Sequence, residues 1–211
     1  MTDYQELYDA VIKGDASASG ELTKTALAAG VDPEELINKY MIPAMDEVGR
    51  RYEEGEYYIP ELLISARAMK TALTLIRPLL ADKGTEPVGR VIIGTVKGDL
   101  HDIGKNLVTS MLEGGGFEVT DLGADVSAQK FAETVGSGAA GVVALSALLS
   151  TTLPGMKEVI GELEKSGMRD RVKVVIGGAP VTQKYADEIG ADGYAGNARA
   201  AVQVVRELLG V

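Results

Sequence analysis

The feature that most constrains this chain is an alternation that begins near residue 91. Short β-rich apolar runs at 91–96, 117–122, 141–148, 172–176 and 193–195 are interleaved with helical stretches at 103–113, 127–136, 155–166, 180–189 and 197–209. Parallel strands require a long crossover between neighbours and are buried on both faces, so they read as near-continuous apolar runs separated by helices. Five β–α units therefore predict an open, doubly wound parallel sheet of the Rossmann-like (flavodoxin-like) type, in strand order 2-1-3-4-5.

Residues 1–81 carry a different period. Apolar side chains recur every three or four positions, as at Leu7, Val11 and Ile12 or Leu22, Ala26 and Leu27. Asp32-Pro33-Glu34-Glu35 has an N-cap residue, a proline at the first helical position and acids in the first turn. Ile59-Pro60 marks another start, and Pro43 falls inside a helical pattern as a candidate kink. Four helices joined by short connections predict an antiparallel bundle. Residues 82–90 lack any apolar period and contain Gly84, Pro87 and Gly89, the composition of a linker. The expected organisation is a four-helix unit at 1–81, a linker at 82–90 and an α/β domain at 91–211.

Composition removes several classes of function. There is no cysteine among the 211 residues, hence no disulfide, thiolate nucleophile or zinc–thiolate site. The absence of cysteine fits a reducing, cytoplasmic setting. Net charge is −10, with 9 basic against 16 acidic side chains before Val88 and 12 against 15 after it, a surface that repels nucleic acid and anionic membrane. Tryptophan is absent and there are two phenylalanines, too few for a base-stacking platform. No apolar run approaches the ~20 residues of a membrane span, and the first residues show no signal-peptide pattern.

A doubly wound sheet binds ligands beyond the carboxyl ends of its strands, at the switch point between strands 1 and 3. The loops placed there are Lys97-Gly98-Asp99-Leu100-His101-Asp102-Ile103-Gly104-Lys105-Asn106 after strand 1, Ser146 to Thr152 after strand 3, and Gly177-Gly178-Ala179-Pro180 after strand 4. None carries a familiar phosphate or nucleophile motif. A receiver domain needs an aspartate where Ser146 ends strand 3. G-x-G-x-x-G is missing, and the run from Gly98 to Lys105 departs from a P-loop at Asn106. G-x-S-x-G is missing around Ser146. His101 is the sole histidine, too few for a zinc site. What remains is one imidazole beside Asp99, a pair in which the carboxylate takes one ring N–H and frees the other nitrogen as a metal ligand. One protein ligand suffices where a macrocycle supplies the others.

Asp99-x-His101-x-x-Gly104, Ser146-x-Leu148 and Gly177-Gly178 resemble the signature of cobalamin-binding Rossmann-like domains. The helical half agrees: Met45-Asp-Glu-Val48-Gly49, Tyr52, Gly55, Ile59-Pro60, Leu62 and Ala66-x-Ala68-Met69 resemble the four-helix cap of methyl-transferring corrinoid proteins. The likeness spans nearly the whole chain. It points to the small stand-alone corrinoid proteins of anaerobic methyltransferase systems and to the matching module of cobalamin-dependent methionine synthase.

The resemblance implies cobalamin, or a related corrinoid, bound with its own base off the cobalt and His101 in its place. Asp99 would hydrogen-bond His101 and Ser146 would extend that relay. The nucleotide tail would enter a slot lined by Gly104, Ser146, Leu148, Gly177 and Gly178. The wider contact set comprises Gly98, Leu100, Asp102, Ile103, Ser150, Thr151, Ala179 and Gly196, with Met45 and Val48 facing the corrin from the cap. The chain would be a methyl carrier rather than a complete enzyme, working between a substrate-specific methyltransferase and an acceptor methyltransferase (tetrahydrofolate or thiol), with a reductive-activation protein as a third partner. Methanol, methylamines, methoxylated aromatics and betaines are all donors within that family. A cobalamin-dependent sensor is the competing reading, and an α/β module for another nucleotide is a third.

Overall fold

The computed structural model describes residues 4–82, 87–138 and 140–211. The chain divides into two compact units, Met1–Pro87 with Glu113–Gly116, and Val88–Leu112 with Phe117–Val211. Residues 83–86 of the expected linker lie outside the described residues.

The first unit holds α1 (Gln5–Ile12), α2 (Ala16–Ala28), α3 (Pro33–Leu36), α4 (Ile42–Glu53) and α5 (Ile59–Asp82). A single π-helical turn, Ile37–Met41, runs directly between α3 and α4, so residues 33–53 form one helical stretch and the unit is built of four. The kink expected at Pro43 takes this form. Proline lacks an N–H and its ring crowds the carbonyl four residues earlier, and widening the preceding turn relieves both. The caps follow the sequence. The Asp32 carboxylate accepts from Glu34 N–H at 2.9 Å, and Glu61 reaches back to accept from Tyr58 N–H at 2.9 Å, the second half of a capping box. Leu7, Val11, Leu36, Met41, Val48, Leu62, Met69 and Ile76 form the buried apolar stripe. Inside it, buried hydroxyls bond to backbone carbonyls: Ser19 donates to Ala68 C=O at 3.0 Å and Ser65 to Ile12 C=O at 3.0 Å. Such pairing offsets the cost of burying a polar group between helices.

The second unit is a five-stranded parallel sheet in the order β2-β1-β3-β4-β5, as the alternation requires. Its strands are β1 (Arg90–Thr95), β2 (Glu118–Asp121), β3 (Val142–Ser146), β4 (Lys173–Gly177) and β5 (Gly193–Ala195). The intervening helices are α6 (Ile103–Gly114), α7 (Ala128–Ser137), α8 (Pro154–Lys165), α9 (Gln183–Ile189) and α10 (Ala198–Leu209). Along β1, Ile92 joins one core with Val143, Leu145, Val174 and Ile176, beneath Phe131, Met156, Val159 and Leu163. Val91 and Ile93, pointing the other way, are equally buried. Gly94 is bare because the Phe131 ring lies over it; a Cβ there would stand 2.7 Å from Cζ. Burying that ring contributes roughly 1.5–3 kcal/mol. Register then sets the site: Thr95, Ser146, Gly177 and Ala195 are successive partners in one row across β1, β3, β4 and β5. The three motif loops all leave the sheet from that row.

Candidate functional site

Asp99 is the electrostatic centre of the carboxyl edge. It has 0% exposure, yet both its oxygens are fully engaged. Oδ1 accepts from His101 N–H at 3.0 Å and lies 2.9 Å from His101 Nδ1. Oδ2 accepts from Leu148 N–H at 2.7 Å, Leu149 N–H at 3.3 Å and the Thr152 hydroxyl at 2.7 Å. Burial by itself raises this carboxyl. The donors from Thr152, Leu148 and His101 outweigh burial and hold it well below the usual carboxylate range. A buried aspartate with this many donors stays ionised, so it is purely an acceptor toward His101.

That fixes the imidazole. Nδ1 must carry the proton it gives to Asp99, and Nε2 keeps a free lone pair. The ring is 52% exposed, so the lone pair faces outward rather than into the core. Thr95, the last residue of β1, donates its hydroxyl to His101 C=O at 3.0 Å, tying the loop to the strand below it.

The expected contact residues gather along this edge in the second unit. Leu100 and Ile103 flank the imidazole, with Ile103 82% exposed, unusual for isoleucine. Gly98, Asp102, Gly104, Leu148, Ser150, Thr151, Gly178, Ala179 and Gly196 are exposed around them. Ser146 and Gly177 are half-buried in the row of strand ends. Met45 and Val48 stand apart: both are buried core positions of the helical unit, and nothing in the structure marks either as facing a ligand.

One hydroxyl is placed differently from the sequence reading, and one buried lysine has no role in that reading. The hydroxyl on Asp99 belongs to Thr152, not to Ser146, which makes no hydrogen bond to that carboxylate. Residues 147–151 turn back on themselves, and Leu149 C=O accepts from Thr152 N–H at 3.0 Å, which brings the later residue inward. The lysine is Lys105, 2% exposed, whose ammonium meets Asp121 Oδ2 at 2.5 Å and Asn106 Oδ1 at 2.7 Å. It ties the first turn of α6 to the end of β2. A lysine at the positively polarised start of a helix is an electrostatic misfit unless paired this way, and that was the available clue in the sequence.

The glycines show what the edge is shaped to receive. A Cβ on Gly178 (φ 136°) would lie 1.8 Å from Ala147 C=O, so bare backbone is obligatory where β3 and β4 end. Gly104 is the opposite case, with nothing within 4 Å of a built Cβ. Packing within the protein does not require glycine there, and open space lies beyond it. Among the described residues, no three His, Cys, Asp or Glu side chains converge as a metal site. A metal at Nε2 would therefore arrive inside a ligand that brings its other donors. One outward imidazole nitrogen, exposed apolar residues beside it and an open glycine-edged margin fit a planar metallomacrocycle with a tail.

The fold and this edge define a doubly wound domain whose strand ends present a single half-exposed histidine held by a buried aspartate. Comparison with known proteins identifies the cofactor class. Residues 89–205 match the B12 binding domain, and residues 4–77 match a second family model also described as a B12 binding domain. The chain belongs to the B12-binding corrinoid protein family. It is 42% identical over 203 residues to trimethylamine corrinoid protein 1 of Methanosarcina acetivorans, covering 95% of this chain and 94% of that one. Among solved structures, it superposes on a cobalamin-binding protein from Desulfitobacterium hafniense with a TM-score of 0.80 at 32% identity, covering 98% of each chain. It also matches a chain of the methanol:cobalamin methyltransferase complex of Methanosarcina barkeri, with a TM-score of 0.85 at 29% identity over 97% of this chain and 78% of that one.

Proposed function

We propose that this chain is a corrinoid methyl carrier, with His101 as the lower axial ligand to cobalt in place of the cofactor's own base. The observation that carries the reading is the Asp99–His101 pair at 2.9 Å, which leaves Nε2 unprotonated and outward at the edge where ligands of this fold bind. When bound, the cobalt of the corrinoid supplies the centre that accepts a methyl group and gives it up. The protein's part is to hold and tune. Asp99 fixes the imidazole tautomer, and Thr152 with the Leu148 amide holds Asp99 ionised. Leu100 and Ile103 supply apolar surface beside the ring, and Gly104, Ser146, Leu148, Gly177 and Gly178 border the slot for the tail.

The naming of the relatives for trimethylamine and for methanol:cobalamin methyltransferase supports a place between two enzymes. One is a substrate-specific methyltransferase; the other passes the methyl group to tetrahydrofolate or a thiol. A reductive-activation protein would restore cobalt that has lost its reactive state. The same reading takes residues 1–81 as a cap, 91–211 as the corrinoid domain and 82–90 as the linker between them, in a cytoplasmic protein. Among the described residues no helix is long and apolar enough to cross a membrane.

The test is anaerobic reconstitution with hydroxocobalamin, desalting, and comparison of the absorption spectrum with that of His101→Ala. The expected result is stoichiometric corrinoid in both proteins with an axial-ligand change in the variant. Identical spectra would remove His101 from the cobalt, and a wild type that retains no corrinoid would remove the function.

A further inference from the structure

Among the described residues, Asp125 is the one non-glycine residue with a positive φ, at 56°. The left-handed region disfavours side chains, with Asp and Asn the best tolerated, and its occupation is worth tracing to a purpose. Here the purpose is visible in the bonds. Asp125 Oδ1 accepts from Gly98 N–H at 2.7 Å, and Asp125 N–H donates to Asp99 C=O at 3.0 Å. Carboxylate and amide of one residue thus hold the two-residue segment Gly98–Asp99 at both ends, through the N–H of the first and the C=O of the second. Gly98 is itself left-handed, at φ 83°, which glycine allows freely, and Asp99 N–H closes the turn on Val96 C=O at 3.1 Å; the two bonds from Asp125 add an anchor from outside the turn. The clamp has a firm base: Thr95 N–H donates to Gly123 C=O at 2.9 Å and Val126 N–H to Thr95 C=O at 3.0 Å on either side of it. The side chain within this clamped segment is the Asp99 carboxylate that orients His101.

We propose that Asp125 is a positioning residue for the histidine loop: it locks the Gly98–Asp99 turn and thereby sets the direction in which His101 presents Nε2. The inference rests on His101 being the axial ligand, and it adds a residue that lies outside every motif in the sequence. It acts through Asp99 and touches no cofactor itself. The left-handed backbone is the means, because it turns the carboxylate and the N–H of one residue toward the same short segment of the loop.

Two substitutions separate the clamp from the strain. Asp125→Gly relieves the unfavourable φ and removes the acceptor. Asp125→Asn tolerates the same φ and keeps an oxygen for Gly98 N–H. His101 is the sole histidine in the sequence, so histidine labelled with 15N gives one imidazole signal set in the full-length protein without cofactor. At alkaline pH the wild type is expected to show the Nδ1–H tautomer. In Asp125→Gly the ratio of Nδ1–H to Nε2–H falls about tenfold, the equivalent of one charge-assisted hydrogen bond, while Asp125→Asn stays within about twofold of wild type. After loading with hydroxocobalamin, the Asp125→Gly spectrum moves toward that of His101→Ala, and Asp125→Asn remains like wild type. A glycine variant with the wild-type tautomer ratio overturns the proposal, as does an asparagine variant as impaired as the glycine one. The tautomer measurement needs no corrinoid, so a failure of the clamp is distinguishable from a failure of cobalamin binding.

Discussion

Thr152→Val tests the reasoning about the Asp99 site most directly. Valine has nearly the shape of threonine and removes only the hydroxyl that reaches Asp99 Oδ2 at 2.7 Å. That hydroxyl has one proton and two acceptors in range, Oδ2 and Leu149 C=O at 2.8 Å, and the buried charge claims it. A hydrogen bond to a charged group contributes about 1.5–3 kcal/mol. Oδ2 keeps the Leu148 amide at 2.7 Å, so the lower half of that range, about 1.5–2 kcal/mol, is the expected loss at neutral pH. With a urea m-value of roughly 1–3 kcal/mol/M, the unfolding midpoint followed by circular dichroism should fall by about 1 M.

The pH dependence carries the sharper test. The folded carboxyl of Asp99 lies below its unfolded value of about 3.9. Its stabilisation is therefore complete above that value and lost as pH falls through it toward the folded one. Removing a donor raises only the folded value, and the unfolded value is common to both proteins, so the deficit of the variant persists unchanged from neutral pH down to about pH 4 and shrinks only as pH approaches the folded values below that. Thr152→Ser keeps the hydroxyl, and its smaller loss from the missing methyl group does not vary with pH. A Thr152→Val deficit that already shrinks between pH 7 and about pH 4, or a Thr152→Ser deficit as large as that of valine, would refute the assignment and leave only a packing role.

Two further outcomes follow. Gly104→Ala should keep or raise apo stability, by up to about 1 kcal/mol from helix propensity, and yet lower corrinoid retention after desalting; Gly178→Ala should instead destabilise the apo protein by several kcal/mol in the same unfolding assay, because its Cβ meets backbone at 1.8 Å. In the helical unit, hydrogen bonds from Arg50 and Arg51 bring the Glu47 carboxyl down to about 2. Its stabilisation is present above the unfolded value near 4.3 and is lost as pH falls toward about 2, so Glu47→Gln should flatten the acid unfolding profile there by less than about 1 kcal/mol, the pair being partly solvent-screened.

How far the sequence reaches differs between elements of this protein. The strands were legible because a parallel sheet buried on both faces leaves apolar runs that surface packing cannot mimic, and each falls within one residue of its run except β3, which stops at Ser146, two short of Leu148. Asp32 and Ile59-Pro60 were legible because capping is local chemistry. The π turn before Pro43 was legible only as a disturbance, since the chain has several ways of relieving a proline inside a helix.

The histidine and its aspartate were legible for the same local reason: two residues apart, they share one turn of backbone. The rest of the site is decided at long range. Thr152 and Asp99 are 53 residues apart, and Asp125 and Gly98 are 27 apart. Ser146 and Thr152 are equally good hydroxyl candidates by sequence, and only the way the loop after β3 turns back chooses between them. The left-handed backbone of Asp125 leaves no mark in composition or period. The sequence by itself thus determined the sheet, its edge and the imidazole, because periodicity and short-range hydrogen bonding are written along the chain. Which oxygen, hydroxyl and amide converge on that imidazole was decided by tertiary structure, because register places side by side groups that the chain keeps far apart.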